Sequence, residues 1–524
     1  MLILEKVGTT NLRGIRFSES VPLKRITVLV GKNSAGKSTF ARTFPLVRQS
    51  VETLRKSPIL WFGHLVDFGT FEDVCNRDQP NGPVQLQFVL RSAITKGQPP
   101  SAAKSKFSDP RRLRIPEGYE VCVTISISKG DEGSYLSHTK LVIGEQTIEI
   151  SVDTSGHLTE IRCGEHKWSP TLAEVGYSLE GRLLPEFIFI RTSSKNEVEV
   201  VEPPFLELVK KEFLPLLHGN THERTLLSIA RQLPIGSIDQ FGDALQLAVK
   251  KRELTNYISK GNSKSQIRRL ADAICLYRYE DLLGEVLTEL TEYFGGVRYL
   301  APLRATAQRY YRTQELSVDE IDPQGANVAN ILSSIPYWQK ASLNKWTEKH
   351  LQFKVDAVTR GGHASLHITP RGSDQSTNLA DMGFGFSQVL PIAIQLWISA
   401  NEKQLGRGLK NKTKPTTCFV IEQPELHLHP SMQASLADLF VAAGDTEGTN
   451  APHMVIETHS SALINRFGEL VHAGKIDKGD IQILLFEGVS TEKSGNVRSV
   501  KFDSDGYLED WPIGFFEPDN QVGE

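Results

Sequence analysis

Ile26-Thr27-Val28-Leu29-Val30 runs directly into Gly31-Lys32-Asn33-Ser34-Ala35-Gly36-Lys37-Ser38-Thr39, and this junction decides how the chain is read. A short run rich in β-branched residues reads as a strand buried on both faces. The first eight of the nine residues after it, Gly31 to Ser38, fit the phosphate-binding pattern G-x-x-x-x-G-K-[ST]. Gly31 and Gly36 let backbone N–H groups curl around a polyphosphate, and the helix opening near Lys37 adds its dipole. Lys37 is placed to reach the β- and γ-phosphates, and the Ser38 hydroxyl to ligate Mg²⁺. The apolar Phe40-Ala41 that follows suits a helix packed on a sheet. The junction therefore implies binding of a nucleoside triphosphate.

Outward from this point, Leu2 to Val7 alternates weakly and Val84 to Leu90 alternates at period two, as half-solvated strands do. The Pro- and Lys-containing segment from Lys96 to Arg114 reads as a surface loop. Alternating runs follow at Val121–Ile127, Lys140–Ile143, Thr147–Val152 and His157–Cys163, punctuated by Gly130, Gly144 and Asp153, which predicts antiparallel sheet. Helical spacing then takes over, at Leu206, Val209, Phe213, Leu216 and later Leu282, Leu283, Val286, Leu290. The polar face of this lobe carries Lys210, Lys211, Lys250, Lys251, Arg252, Lys260, Lys264, Arg268 and Arg269. A solvated helix face explains that charge better than a nucleic-acid or partner patch. Sheet pattern resumes at Val297-Arg298-Tyr299-Leu300. The expected organisation is an α/β nucleotide head in two pieces: residues 1–200 with the P-loop and antiparallel sheet, a helical insertion over 201–296, and a C-terminal piece over 297–524.

A chain of 524 residues with 39% hydrophobic and 23% charged content suits a globular protein with a sizeable core. A net charge of −3 excludes global attraction to nucleic acid, so any such contact needs a local patch. Five scattered cysteines without a CxxC pair imply free thiols in a reducing compartment. There is no signal-peptide pattern at Met1, and Val389–Ala400 is too short to cross a bilayer, so a cytoplasmic protein without membrane contact is expected.

Three further segments refine the site. Thr417-Cys418-Phe419-Val420-Ile421-Glu422 reads as a buried strand ending in a carboxylate able to hold the Mg²⁺ shell. Met454-Val455-Ile456-Glu457 is another strand, ending at Thr458-His459-Ser460, where His459 is placed to sense a γ-phosphate or orient water. Met382-Gly383-Phe384-Gly385-Phe386-Ser387-Gln388 is a Gly-rich turn entering an apolar helix, a second anion-seeking helix start. With the P-loop already serving one nucleotide, this second turn suggests pairing across a dimer.

The order GKNSAGKST, MGFGFSQ, FVIEQPELHLHP, VIETHSS resembles the ABC-type ATPases of the RecF, SMC and OLD group, and within them the PtuA-type ATPases of Septu and retron antiviral systems. Tyr299-Leu300-Ala301-Pro302-Leu303-Arg304, the Gly325-Ala326-Asn327 turn and the segment Asp510 to Phe516 fit the same resemblance, which covers about 1–90 and 297–516. It implies a P-loop ATPase head with an antiparallel β subdomain and an inserted helical lobe, working as a head-to-tail ATP sandwich. Gly31, Asn33, Gly36, Lys37, Ser38 and Thr39, with the intervening Lys32, Ser34 and Ala35, would hold ATP and Mg²⁺ in one protomer. Gly385 and Ser387 of the other would close on the γ-phosphate, with Glu422 as the Walker B acid, His459 as the switch histidine, and Asn11 and Arg13 near the nucleotide. The partners implied are a second copy of the chain, a separate HNH nuclease of the PtuB type and, in a retron setting, a reverse transcriptase with its RNA–DNA product. Only 65 residues follow His459 (524 − 459), fewer than a nuclease domain needs, so no nuclease activity of its own is expected.

The chain departs from this pattern at Gln423, where ABC-type ATPases carry the glutamate that polarises the attacking water. An amide orients water but cannot accept its proton. Either turnover is slow and nucleotide acts as a clamp, or Glu425 takes the role, or the phosphate itself activates water. His427 and His429 are explained by the loop after the Walker B strand without a metal. The leading expectation is a nucleotide-gated antiviral ATPase subunit; the alternatives are a RecF/SMC-like ATPase clamping DNA in repair or recombination, and an ATP-binding scaffold.

Overall fold

The computed structural model describes residues 2–53, 57–93, 113, 115–131, 133–170, 175–178, 183–184, 186–192, 198–200, 205–213, 216, 222–249, 263–313, 320–401, 415–444, 451–487 and 497–512. The Lys96–Arg114 loop (apart from Leu113), Lys250, Lys251, Arg252, Lys260 and the stretch from Ile513 lie outside the described residues. The fold is mixed α/β and divides into two compact units. One holds residues 1–22, 49–62 and 68–292, the other 23–48, 63–67 and 293–524.

The first unit is built on an antiparallel sheet whose strands run His166–Trp168, Leu158–Cys163, Gln146–Val152, Gly133–Ile143, Glu120–Gly130, Val84–Ser92, Leu2–Leu12, Ile15–Phe17 in spatial order. The alternation that predicted these strands is seen in their burial. Gln146, Ile148, Ile150 and Val152 are buried while the residues between them are half-exposed. The expected boundary at 200/201 does not divide compact units. Helix Ser263–Tyr277 lies on this same sheet, where Gln146 Nε2 donates to Asp272 Oδ1 at 3.2 Å and the His166 ring meets the Arg269 carbonyl at 2.8 Å. The reason is amphipathicity: Leu270, Ala271, Ile274 and Cys275 form an apolar stripe that needs the sheet's inner face to cover it. The helical stretch is therefore part of the antiparallel unit, and the boundary expected at 296/297 falls at 292/293. Of the basic residues on these helices, Lys210 pairs with Glu207 and Glu223, Arg269 with Glu212, and Arg268 donates to the Glu145 carbonyl. These are the contacts of a solvated, charge-compensated surface.

The second unit holds a six-stranded sheet made of β1 (Ile26–Gly31), β2 (Val297–Leu300), β3 (Cys418–Glu422), β4 (His453–Glu457), β5 (Ile481–Phe486) and β6 (Val497–Val500). Their spatial order is β2-β3-β4-β1-β5-β6, all parallel except the final β5–β6 pair. Every residue of β1, β3 and β5 is buried, as expected for strands covered on both faces. The covering helices are α1 (Lys37–Glu52), α2 (Phe384–Ala400), α3 (Pro430–Ala443) and α4 (Ser461–His472). One continuous apolar core runs through Val28, Val30, Ile421 and Ile456 of the sheet to Leu390 and Trp397 of α2 and Phe467 of α4. Four of the five cysteines are buried and Cys122 is half-buried, and all five are free thiols. Among the described residues no helix is long and apolar enough to cross a membrane.

Candidate functional site

The parallel strands β3, β4 and β1 end side by side, and Glu422, Glu457 and the P-loop lie at those ends. The register sets Glu422 opposite Glu457 and Glu457 opposite Leu29. The loop from β1 to α1 turns through left-handed backbone at Ser34 (φ 62°) and Gly36 (φ 102°). Gly31 is required by packing: a Cβ there would sit 2.2 Å from the Phe486 carbonyl oxygen at the end of β5. Lys32, Asn33 and Ser34 are exposed at the loop's crest, Ala35, Gly36 and Lys37 are buried at its base, and Ser38 and Thr39 are half-buried on α1.

Lys37 Nζ donates to the carbonyls of Gly31 at 2.9 Å and Lys32 at 2.8 Å, so its ammonium lies in the curl of the loop. Burial lowers its pKa, partly opposed by Glu457. Ser38 Oγ donates to Glu457 Oε1 at 2.8 Å. One helical turn on, Arg42 grips Glu422 with two bonds of 2.8 Å, and the buried Tyr299 hydroxyl adds a third at 2.7 Å. Glu422 is 1% exposed, so this pairing offsets the desolvation of a carboxylate that water does not reach. The same environment drives the Tyr299 phenol and the Arg42 guanidinium upward in pKa, the first mainly by burial, the second mainly by its bond to Glu422. Arg304 donates to the Glu422 carbonyl at 3.0 Å; burial pulls its pKa down to about 10 against the pull of Glu425 and Glu422.

Gln423 takes a left-handed conformation (φ 44°) as the chain leaves β3, and its N–H donates to the Glu457 carbonyl at 2.8 Å. Two residues on, buried Glu425 accepts the His459 N–H on Oε1 at 2.6 Å, while its Oε2 has no hydrogen-bond partner among the described residues. Burial raises the pKa of Glu425 and lowers that of the His459 imidazole, the latter with help from Lys37. Glu457, 2% exposed, likewise has an unpartnered Oε2, and burial followed by the neighbouring Glu422 pushes its pKa up to about 7. The two loop histidines have structural work. His429 Nδ1 caps α3 by accepting the Ser431 N–H, and His427 (φ 61°) meets Phe384 edge-on, ring centroids 4.7 Å apart.

The Gly-rich turn opens α2. Ser387 is buried and bonds the Phe384 carbonyl at 2.7 Å, and Gly385 abuts the loop after β3, where a Cβ would lie 3.1 Å from the His427 carbonyl oxygen. Phe384 itself is 44% exposed at the helix start. Asn11 and Arg13 fall in the other unit. Asn11 Nδ2 bonds the Gln79 and Gly82 carbonyls at 3.0 and 2.9 Å, and the Arg13 guanidinium stacks 4.5 Å over the Phe68 ring. Both side chains hold that unit's own loops.

Arg42, Tyr299, Arg304 and Glu457 were not foreseen in these roles. Spacing held a signal for Arg42, because positions i and i+4 share a helix face and so set it beside Ser38. For Glu457 the signal was its place as the last residue of a strand aligned with β3.

The donor set fits Mg²⁺ with a triphosphate. A hydroxyl and unpartnered buried carboxylate oxygens are the hard oxygen ligands this cation takes, and the buried ammonium in the loop suits phosphate. Residues 237–464 match the AAA ATPase domain family, a stretch that includes β3 and β4 but not the P-loop. No curated protein matches the chain. The Smc head domain of Pyrococcus furiosus, with an extended coiled coil and bound to the C-terminal domain of ScpA, is 11% identical over 96% of this chain and 97% of that one, at a TM-score of 0.35. The SMC head domain of Thermotoga maritima is 10% identical over 96% and 99%, at a TM-score of 0.34. The P-loop fold together with the matching domain defines an ATPase.

Proposed function

We propose that this ATPase binds Mg-ATP between two copies of itself and uses it chiefly as a slowly released clamp. The observation that carries the reading is Gln423, pinned through its backbone to Glu457 at the position where a catalytic glutamate is expected. Its amide orients a water molecule without accepting a proton. Lys37 leaves the loop carbonyls to neutralise phosphate oxygens, and the loop N–H groups cradle them. Mg²⁺ when bound supplies charge neutralisation for the phosphoryl group. His459, held neutral, serves as a hydrogen-bonding partner for the γ-phosphate. Glu425, with one oxygen unpartnered among the described residues, serves as the proton acceptor in place of the missing glutamate. Gly385 and Ser387 of the second copy close the site, the exposed Phe384 beside them supporting a contact there.

The biological setting we infer is antiviral defence of the Septu and retron type, with the ATP dimer regulating a separate HNH nuclease. The order of the four motifs supports it. The test is steady-state hydrolysis by wild type, Gln423→Glu, Glu425→Ala and Lys37→Ala, with sedimentation in a non-hydrolysable analogue. Expected are wild-type turnover well below the enzyme median of roughly 10 s⁻¹, a gain in Gln423→Glu and loss of nucleotide binding in Lys37→Ala. Fast wild-type turnover indifferent to Glu425→Ala would defeat the clamp. Strongly salt-dependent binding of duplex DNA by the isolated chain would replace the defence setting with a DNA-clamping one.

A further inference from the structure

We propose that Glu457, and not Glu422, is the carboxylate that joins Ser38 in holding the divalent cation of this site. The inference rests on the nucleotide-binding reading above and names the protein ligands within it. Four observations carry it.

The first is a distance. Mg²⁺ binds oxygen at 2.0–2.1 Å in near-octahedral geometry, so two neighbouring ligands stand about 2.9 Å apart. Ser38 Oγ and Glu457 Oε1 are 2.8 Å apart, already at the edge length of such a shell. A cation held there would take the Ser38 hydroxyl oxygen by a lone pair, the hydroxyl keeping its proton and turning it away from Glu457.

The second is an unmet demand. Glu457 Oε2 is buried on a residue 2% exposed and has no hydrogen-bond partner among the described residues. A desolvated carboxylate oxygen in that position costs stability until a cation or donor reaches it.

The third concerns the competitor. Both oxygens of Glu422 are engaged, Oε1 by Arg42 Nε and the Tyr299 hydroxyl, Oε2 by Arg42 Nη2. To ligate a cation directly it would have to surrender a bidentate guanidinium, and would bring that positive charge beside the metal.

The fourth is sheet order. Glu457 ends the strand next to the P-loop strand, whereas Glu422 ends the strand beyond it. Strands lie ~4.8 Å apart, so Glu422 starts roughly 10 Å from the backbone that launches the P-loop. Glu422 then plays a different part, since its charge fixes Arg42 and Tyr299, and so the pitch of α1 against the sheet.

The experiment measures Mn²⁺ affinity by electron paramagnetic resonance, in the presence of ADP, for full-length wild type, Glu457→Gln and Glu422→Gln. Fluorescent nucleotide binding with and without Mg²⁺ is followed in parallel. Glu457→Gln is expected to weaken Mn²⁺ by at least about tenfold, the loss that even a supporting residue causes at a metal site. Its nucleotide binding without the cation should persist. Glu422→Gln should keep Mn²⁺ affinity within about threefold while melting earlier. Unchanged Mn²⁺ affinity in Glu457→Gln overturns the proposal. So does loss of that affinity in a folded Glu422→Gln, an arm that decides the matter even if Glu457→Gln fails to fold. A wild type that binds nucleotide under neither condition would sink this proposal and the proposed function together, a result distinct from either variant outcome.

Discussion

Along Gln146–Val152 in the antiparallel unit buried and half-exposed residues alternate, whereas β1 and β5 in the parallel unit bury all of theirs. Where one face meets water, charged side chains can sit anywhere along a strand. Glu149, for example, lies mid-strand and pairs with Arg162 and Lys140. Where both faces are covered, polar groups are driven to the strand ends and are buried there when they arrive. The same ion-pair chemistry therefore has different consequences in the two units: surface compensation in one, and in the other a buried charge that depends on its partner.

The sharpest way to break this contrast is Arg42→Met, which leaves the Glu422 carboxylate buried without its guanidinium. Chemical denaturation should show a loss of about 3 kcal/mol, at the low end for buried pairs because Arg42 is itself part-exposed. A loss below 1 kcal/mol would mean that the buried end of β3 behaves like a surface. An intermediate effect should come from His453 at the start of β4, whose Nδ1 meets the Tyr293 hydroxyl at 2.9 Å and whose pKa burial pushes down to about 4. Between that value and the unfolded value of about 6.5, the unfolded chain takes up a proton that the folded one refuses. Stability is therefore present above that window and lost as pH falls through it. Urea midpoints at pH 7.5 and 5 should reveal about 1–2 kcal/mol of wild-type loss that is absent in His453→Asn, which retains an acceptor for Tyr293. Equal pH dependence in the two proteins would exclude His453 as the source. The smallest effect belongs to Arg162→Ala on the alternating sheet, expected to leave the urea midpoint nearly unchanged, because the Arg162 side chain is 52% exposed and its pairing with Glu149 is screened by water. A larger loss would make that surface energetically like the buried strand ends.

The burial contrast was legible in the residues, and so was the P-loop. A continuous apolar run and an alternating run are local properties, and local properties survive folding. The grouping of elements was not legible. The run Leu2–Val7 reads as a strand with no sign of its partner, and the strand it belongs to, Leu2–Leu12, pairs with Val84–Ser92 in the antiparallel unit. Periodicity tells which face of a strand is buried, but not which sheet the strand joins. The site shows the same limit. Lys37 and Ser38 could be read because their motif is contiguous, while the Ser38–Glu457 bond spans 419 positions and the Arg42–Glu422 pair 380. Only strand order brings such residues together. Gln423 was legible as a departure from the family pattern; that its backbone would clamp β3 to β4 was not.

The placement of β1 bears on synthesis. It is the first strand of its sheet to leave the ribosome, yet both of its neighbours, β4 and β5, are encoded after residue 450. At roughly 5–20 residues per second, translation leaves it without sheet partners for about 20 to 90 seconds. An apolar segment waiting that long is a natural substrate for holding chaperones, and a place where a nascent chain of this protein could aggregate.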